Sequence, residues 1–105
     1  MNRGEIWMYR FSSPDKERPV LILTRSSIIP YLNEVTIAPI TSTIRGIPSE
    51  VRIGIDEGLK NESAINLDHL QTVLQSKINR FIGTISTEKM HEVKSALLFA
   101  LGFDK

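Results

Sequence analysis

Along the first two-thirds of the chain, apolar residues recur at period two or in short unbroken runs, separated by turn-forming clusters. That pattern predicts short β-strands. Ile6 to Phe11 is the first, with Trp7, Tyr9 and Phe11 on one face. Ser12-Ser13-Pro14-Asp15-Lys16-Glu17 follows as a polar loop. Pro19 to Thr24 is continuously apolar, as expected of a central strand buried on both faces. Glu34 to Ile40 is the next strand, with Val35 and Ile37 on one face. Pro39 near its end lacks a ladder donor and predicts an edge or a bulge. After a loop over Thr41 to Ser49, Val51, Ile53 and Ile55 alternate with Glu50, Arg52 and Gly54, the signature of a half-exposed strand. Asp56 to Glu62 is a turn region; Ala64 to Asp68 and Leu70 to Leu74 are two short strands or one bent strand, and Phe81 to Ile85 is the last.

The periodicity then changes. Met90, Val93, Leu97 and Leu101 recur at helical spacing, with Leu98 and Ala100 beside them. Ser86 is placed to cap the helix N-terminus, Glu88 sits where the helix dipole favours an anion, and Gly102 is a C-terminal stop. A single amphipathic helix closing a run of strands predicts an α+β, mostly β domain, because its apolar stripe needs a sheet or barrel face to pack on. The 105 residues suffice for one domain, with no internal repeat or low-complexity segment. A domain this small buries about two-thirds of its unfolded surface, which favours support from a partner subunit.

Composition narrows the chemistry. A hydrophobic fraction of 41% and a charged fraction of 24% are those of an ordinary soluble globular protein. With no cysteine, disulfides, thiolate metal sites and cysteine nucleophiles are excluded together. His69 and His91 are too far apart in sequence to form a local ligand pair, so neither a metal nor a cofactor is expected. No apolar run reaches the roughly 20 residues that span a bilayer, and the first residues lack the apolar core of a signal peptide. A cytoplasmic location and no membrane partner are the expectation. The net charge of +1 rules out nucleic-acid binding through bulk charge; any such binding must use a few placed cations.

Three clusters could carry chemistry: Lys16-Glu17-Arg18-Pro19 opening the buried strand, Pro39-Ile40-Thr41-Ser42-Thr43-Ile44-Arg45-Gly46, and Asn66-Leu67-Asp68-His69-Leu70-Gln71-Thr72. Metal-free RNA cleavage needs a base to take the 2′-hydroxyl proton, a cation for the charge developing on phosphoryl oxygens, and a proton for the departing 5′-oxygen. Arginine suits the second task because its planar fork grips two oxygens and stays charged. A carboxylate within hydrogen-bond reach serves the first. The hydroxyls of Thr41 and Ser42 can hold a phosphate or a base edge without adding charge. Plainer readings stand beside these. Arg18-Pro19 also reads as a solvated charge next to a structural proline, and Thr41-Ser42-Thr43 as turn chemistry. Asp68 and His69 are adjacent, and in an extended strand neighbours face opposite ways, so a direct pair is not expected. That leaves His69 as a surface or interface side chain.

Taken together the clusters resemble the MazF/PemK toxins of type II toxin–antitoxin systems. The likeness runs through Arg3-Gly4-Glu5-Ile6-Trp7, Arg18-Pro19-Val20-Leu21-Ile22-Leu23, Val35-Thr36-Ile37-Ala38-Pro39-Ile40-Thr41-Ser42, Ser63-Ala64-Ile65-Asn66-Leu67-Asp68 with Gln71-Thr72-Val73, and Ile82-Gly83-Thr84-Ile85-Ser86. Each motif alone is weak, and five in register are specific. The resemblance implies one toxin domain over residues 1–105, an SH3-like barrel with an appended helix, a homodimer, and an antitoxin partner whose complex binds DNA. It implies cleavage of single-stranded RNA to a 2′,3′-cyclic phosphate and a 5′-hydroxyl. On it, Arg18 matches the catalytic arginine, Thr41 the catalytic threonine and Asp68 a proposed base, with Glu17 in reserve. Ser42, Thr43, Arg45, Asn66, Gln71 and Thr72 are the candidate RNA contacts. Where the family carries arginines in the later strands, this chain has Asn66 and Gln71, and the acidic loop before Arg18 is shortened to Asp15-Lys16-Glu17.

Two other functions fit the same fold. A toxin resembling the CcdB gyrase inhibitors would share the barrel without cutting RNA, and a small binding module would hold RNA or protein only. Arg18-Pro19 with Thr41-Ser42 suits RNA chemistry and has no evident task in gripping gyrase.

Overall fold

The computed structural model describes residues 1–12 and 16–104. Seven strands are followed by one helix: β1 (Glu5–Arg10), β2 (Glu17–Ile22), β3 (Glu34–Thr41), β4 (Glu50–Ile53), β5 (Ser63–Asn66), β6 (Gln71–Leu74), β7 (Ile78–Thr84) and α1 (Thr87–Leu101). The strands lie in the order β4-β5-β3-β2-β1-β7, with β6 also paired to β3, and every pairing is antiparallel. This is the mostly-β, α+β architecture with a terminal helix that the sequence predicts. Within the polar loop expected at Ser12 to Glu17, residues 13–15 lie outside the described residues.

The strands form where the alternation is cleanest. Val20, Leu21 and Ile22 of β2 are all fully buried, because β2 has a core on each face. One core joins Ile6, Leu21, Ala38, Ile40, Ile53, Ile65 and Leu67 to Val93 and Ala96 of α1. The other gathers Tyr9, Val20, Ile22, Val35, Ile37, Val73 and Ile78, with Trp7 and Phe11 packed on it. Trp7, Tyr9 and Phe11 thus share a face, and the Tyr9 and Phe11 rings meet edge to face at 4.7 Å.

The helix is held at both ends as expected. The Ser86 hydroxyl accepts from the Lys89 amide at 3.1 Å, and Gly102 at φ 80° closes the C-terminus. Its apolar stripe differs at one position: Leu101 is 54% exposed, while Ala96 is buried with Val93, and Met90, Leu97 and Ala100 pack beside them. The chain has run past the sheet by the last turn, so spacing alone overstates the stripe.

Four other expectations are corrected. Pro39 marks neither an edge nor a bulge: β3 is central, pairs with β6 through Ile37 and with β5 from Ile40, and the proline falls at that change of partner. No ladder pair on that side includes residue 38 or 39, so a residue without an N–H fits there. β4 stops at Ile53, and Ile55–Glu57 is a 3-10 turn that leaves Ile55 79% exposed. The strand expected to reach Asp68 ends at Asn66, and Leu67–His69 is another 3-10 turn, with Leu67 buried. β7 begins at Ile78, earlier than expected, because irregular pairing with β1 on either side of Arg80 and Phe81 breaks the alternation.

Candidate active site

The site grows from the way β2 and β3 part. Their register runs Ile22↔Ile37, Leu21↔Ala38 and Val20↔Pro39, and the ladder stops there. Beyond Pro39, β3 turns to pair with β5 through Ile40↔Ile65 and Thr41↔Ala64. A cavity of about 470 Å³ lies over the sheet face beside that parting, lined from β3, β2, β1 and β7. Continuing the β2–β3 count sets Arg18 opposite Thr41 and Glu17 opposite Ser42. Residues directly opposite in an antiparallel pair share a face, so Arg18 and Thr41 belong to one face and Glu17 and Ser42 to the other.

Lys16, Glu17, Arg18, Pro19, Ile40 and Ser42 line the cavity from the β2–β3 side. Arg18 is exposed, free to meet a ligand. Glu17 is oriented: its Oε2 accepts from Asn79 Nδ2 at 2.7 Å and lies 3.5 Å from Arg10 Nη2. Thr41 is half-buried and does not line the cavity; its hydroxyl accepts from the Thr43 amide at 3.1 Å. That contact is the turn chemistry anticipated for the hydroxyl run.

From the other side the cavity is lined by Met8, Arg80 and Ile82, and by Gly58, Leu59, Lys60, Asn61 and Ser63. These residues were not legible as site residues. Lys60 and Asn61 lie in a turn region, and Arg80 in a stretch whose alternation is broken. Only strand pairing brings them to Arg18. Lys16, Arg18, Lys60 and Arg80 set four cations against the one carboxylate Glu17. In a chain of net charge +1 this is a local concentration of positive charge, the kind of placed cations that an anion-binding site requires.

The remaining candidates fall elsewhere. Asp68 is exposed, and its Oδ2 accepts from the buried Ser49 hydroxyl at 2.5 Å. It lies beyond the end of β5, roughly 10 Å along the chain from the Ala64 partner of Thr41. Asn66 is spent on structure: its Oδ1 accepts from the Asp68 amide at 3.0 Å, and its Nδ2 is 3.2 Å from His69 Nδ1. Asp68 and His69 are not bonded to each other, but the reason is a 3-10 turn and not the alternation of a strand. Arg45 is exposed on the loop after β3, whose backbone is held by Glu50: its Oε1 accepts from the Arg45 and Gly46 amides at 2.9 and 3.0 Å. Gln71 and Thr72 are exposed on β6, beside the other end of β3, where Thr72 Oγ1 is 3.4 Å from Thr36 Oγ1. The structure thus gathers Glu17, Arg18 and Ser42, sets Thr41 and Thr43 beside them, and leaves Asp68, Asn66, Gln71 and Thr72 apart.

A cleft at a strand mouth where cations outnumber carboxylates is a site for an anionic, phosphate-bearing ligand. The family model of the PemK-like, MazF-like toxins of type II toxin–antitoxin systems matches residues 2–101. Endoribonuclease MazF3 of Mycobacterium tuberculosis is 39% identical over 90 residues, covering 86% of this chain and 87% of that protein. Probable endoribonuclease MazF5 of the same organism is 35% identical over 101 residues, covering 94% and 91%. Among solved structures, the Mycobacterium tuberculosis toxin MazF-mt6 superposes with a TM-score of 0.89 at 36% identity, covering 96% of this chain and 99% of that one. The chain belongs to the PemK-like, MazF-like family and is an endoribonuclease toxin of a type II toxin–antitoxin system. Among the described residues no helix is long and apolar enough to cross a membrane.

Proposed function

We propose that this toxin, as one domain, cleaves single-stranded RNA without a metal, through attack of the substrate's own 2′-hydroxyl at the cavity mouth. The observation that carries the reading is that Glu17, Arg18 and Ser42 line one cavity in which cations outnumber carboxylates four to one. Such a lining supplies the charge that a metal would otherwise bring and repels a divalent cation. Arg18 holds the phosphoryl oxygens through its fork as negative charge develops. Thr41, across from Arg18 by register, adds a neutral hydroxyl, and Ser42 a second. Glu17 is favoured over Asp68 as the base, because it lies in the cavity beside Arg18 and is oriented by Asn79, whereas Asp68 is engaged with Ser49. Glu17 takes the 2′-hydroxyl proton as the 2′-oxygen attacks the adjacent phosphorus, the bond to the 5′-oxygen breaks, and that oxygen takes a proton from solvent, so the products carry a 2′,3′-cyclic phosphate and a 5′-hydroxyl. The toxin works as a homodimer in the cytoplasm and is silenced by a cognate antitoxin, as family membership implies.

The test is cleavage of a mixed-sequence RNA, with the cut site mapped and then resynthesised with one deoxynucleotide 5′ to the scissile phosphate. Arg18→Ala should retain its fold and lose about 100- to 1000-fold in rate. Arg18→Lys should recover little of it, since an ammonium lacks the fork. The deoxy-substituted strand should resist cutting, and a chelator should leave the rate unchanged. Cutting of the deoxy strand, or activity lost to chelator and restored by added metal, would exclude this chemistry.

A further inference from the structure

We infer that Lys60 and Arg80 form a second phosphate clamp on the β7 side of the cavity, holding the RNA phosphate next to the one that Arg18 engages. The inference rests on the RNA-cleaving reading of the cavity and adds binding residues to it. Arg80, Met8 and Pro19 stand directly opposite one another across β7, β1 and β2, so they share one face and form a row along the cavity floor. Two strand spacings, about 10 Å, separate the β7 end of that row from the β2 end. Arg18, next to Pro19 on β2, reaches the cavity at that end of the row, so Arg80 at the β7 end is placed for a neighbouring phosphate and not for the one at Arg18. The floor between is apolar, made by Met8, Pro19, Ile40 and Ile82, and leaves room for the intervening nucleoside.

Lys60 is brought to the same cavity by a backbone contact that glycine alone permits. A Cβ on Gly83 would lie 2.2 Å from the Glu57 carbonyl oxygen, and one on Gly58 would lie 2.7 Å from the Ile82 carbonyl oxygen. Main chain thus packs on main chain, and the loop that follows the Ile55–Glu57 turn is pinned against β7. Among the described residues, the ion pairs are Arg10 with Glu17 and Lys89 with Glu92, so neither Lys60 nor Arg80 is spent on a carboxylate. Both are exposed, which makes their contribution a screened, salt-sensitive attraction exerted on bound and reacting RNA alike. Uniform binding of that kind lowers KM and leaves kcat alone.

The test compares Lys60→Ala, Arg80→Ala and the double variant with Arg52→Ala, which removes an exposed cation outside this cavity. The binding probe is a fluorescent RNA with a single deoxynucleotide at the mapped cut, titrated by anisotropy across a salt series. Each single variant should raise Kd and KM about 3- to 10-fold, with kcat within about twofold. The double variant should flatten the slope of log Kd against log salt by about 0.7, the value for one lost phosphate contact on a single strand. Arg80→Lys, which keeps the point charge, should restore the slope. A double variant with the parent's Kd and slope, or one that loses kcat at unchanged Kd, overturns the clamp. Arg18→Ala run alongside separates the two claims: if it abolishes cutting while the double variant behaves like the parent, only the clamp fails. If Arg18→Ala cuts normally, the reading of the cavity fails and the clamp with it.

Discussion

Replacing Gly83 with alanine tests the physical link between the fold and the cavity. The added Cβ would meet the Glu57 carbonyl oxygen at 2.2 Å, well inside any tolerable contact. Its neighbour is main chain, not the tip of a flexible side chain, so rotamer changes cannot relieve the clash. The two backbones must part by roughly 1 Å, and overpacking of this kind costs about 2–3 kcal/mol. Unfolding entropy of about 2.1 cal/mol/K per residue over 105 residues converts that into a fall of roughly 10 °C in Tm. The retreating loop also carries Lys60 and Asn61 away from the cavity, so KM for RNA should rise. Gly46→Ala is the comparator: at φ 69° with nothing within 4 Å of its Cβ position, it incurs only conformational strain of about 1 kcal/mol. Thermal melts at one fixed protein concentration, which keeps any self-association equal across variants, are the assay. A Gly83→Ala protein that melts with the parent, or no lower than Gly46→Ala, would refute the argument that main-chain packing pins this wall.

Three further outcomes are expected. Glu17→Gln should lose cleavage with its melting temperature nearly unchanged, whereas Asp68→Asn should cut normally and Asp68→Ala should cost about 1–3 kcal/mol by leaving the buried Ser49 hydroxyl without its acceptor; full activity in Glu17→Gln with none in Asp68→Asn would reverse the assignment of the base. Burial pushes the Glu5 carboxyl up, but hydrogen bonds from the Trp7 indole and from Asn2 outweigh it and hold it below the usual carboxylate range. A folded value below the unfolded one gives stability that is present above the unfolded value and lost as pH falls through the folded one, so the fluorescence of Trp7, the one tryptophan, should change in that acidic window in the parent and not in Glu5→Gln. Sedimentation at micromolar concentration should report twice the 11.9 kDa chain mass, and a monomer that cuts RNA at full rate would refute the dimer.

What the sequence by itself determined is local. Ser86 and Gly102 bracket the helix because caps act within a turn of the chain, and Val20-Leu21-Ile22 announces a strand buried on both faces because side-chain alternation needs no partner to be read. Arg18 and Ser42, which line the cavity, lay in motifs contiguous in the chain. The tertiary structure alone decided the rest. Pro39 looks like an edge signal until β3 is seen to exchange β6 for β5 at that residue, a fact that depends on strands 25 to 34 positions away in the pairing of Ile40 with Ile65 and of Ile37 with Gln71. Asp68 carries the right functional group, yet a 3-10 turn directs it to Ser49, because Leu67 must bury itself and Asn66 caps the turn that results. Lys60 and Arg80 have no local signature, since a solvated cation in a turn or a broken strand looks the same whether or not it faces a cavity. Arg80 reaches the cavity through the β2–β1–β7 register, opposite Met8 and Pro19, and Lys60 through the contact of Gly83 with Glu57. Periodicity encodes which side of an element is buried, while a cavity lined from five segments is encoded in pairings that no single segment contains.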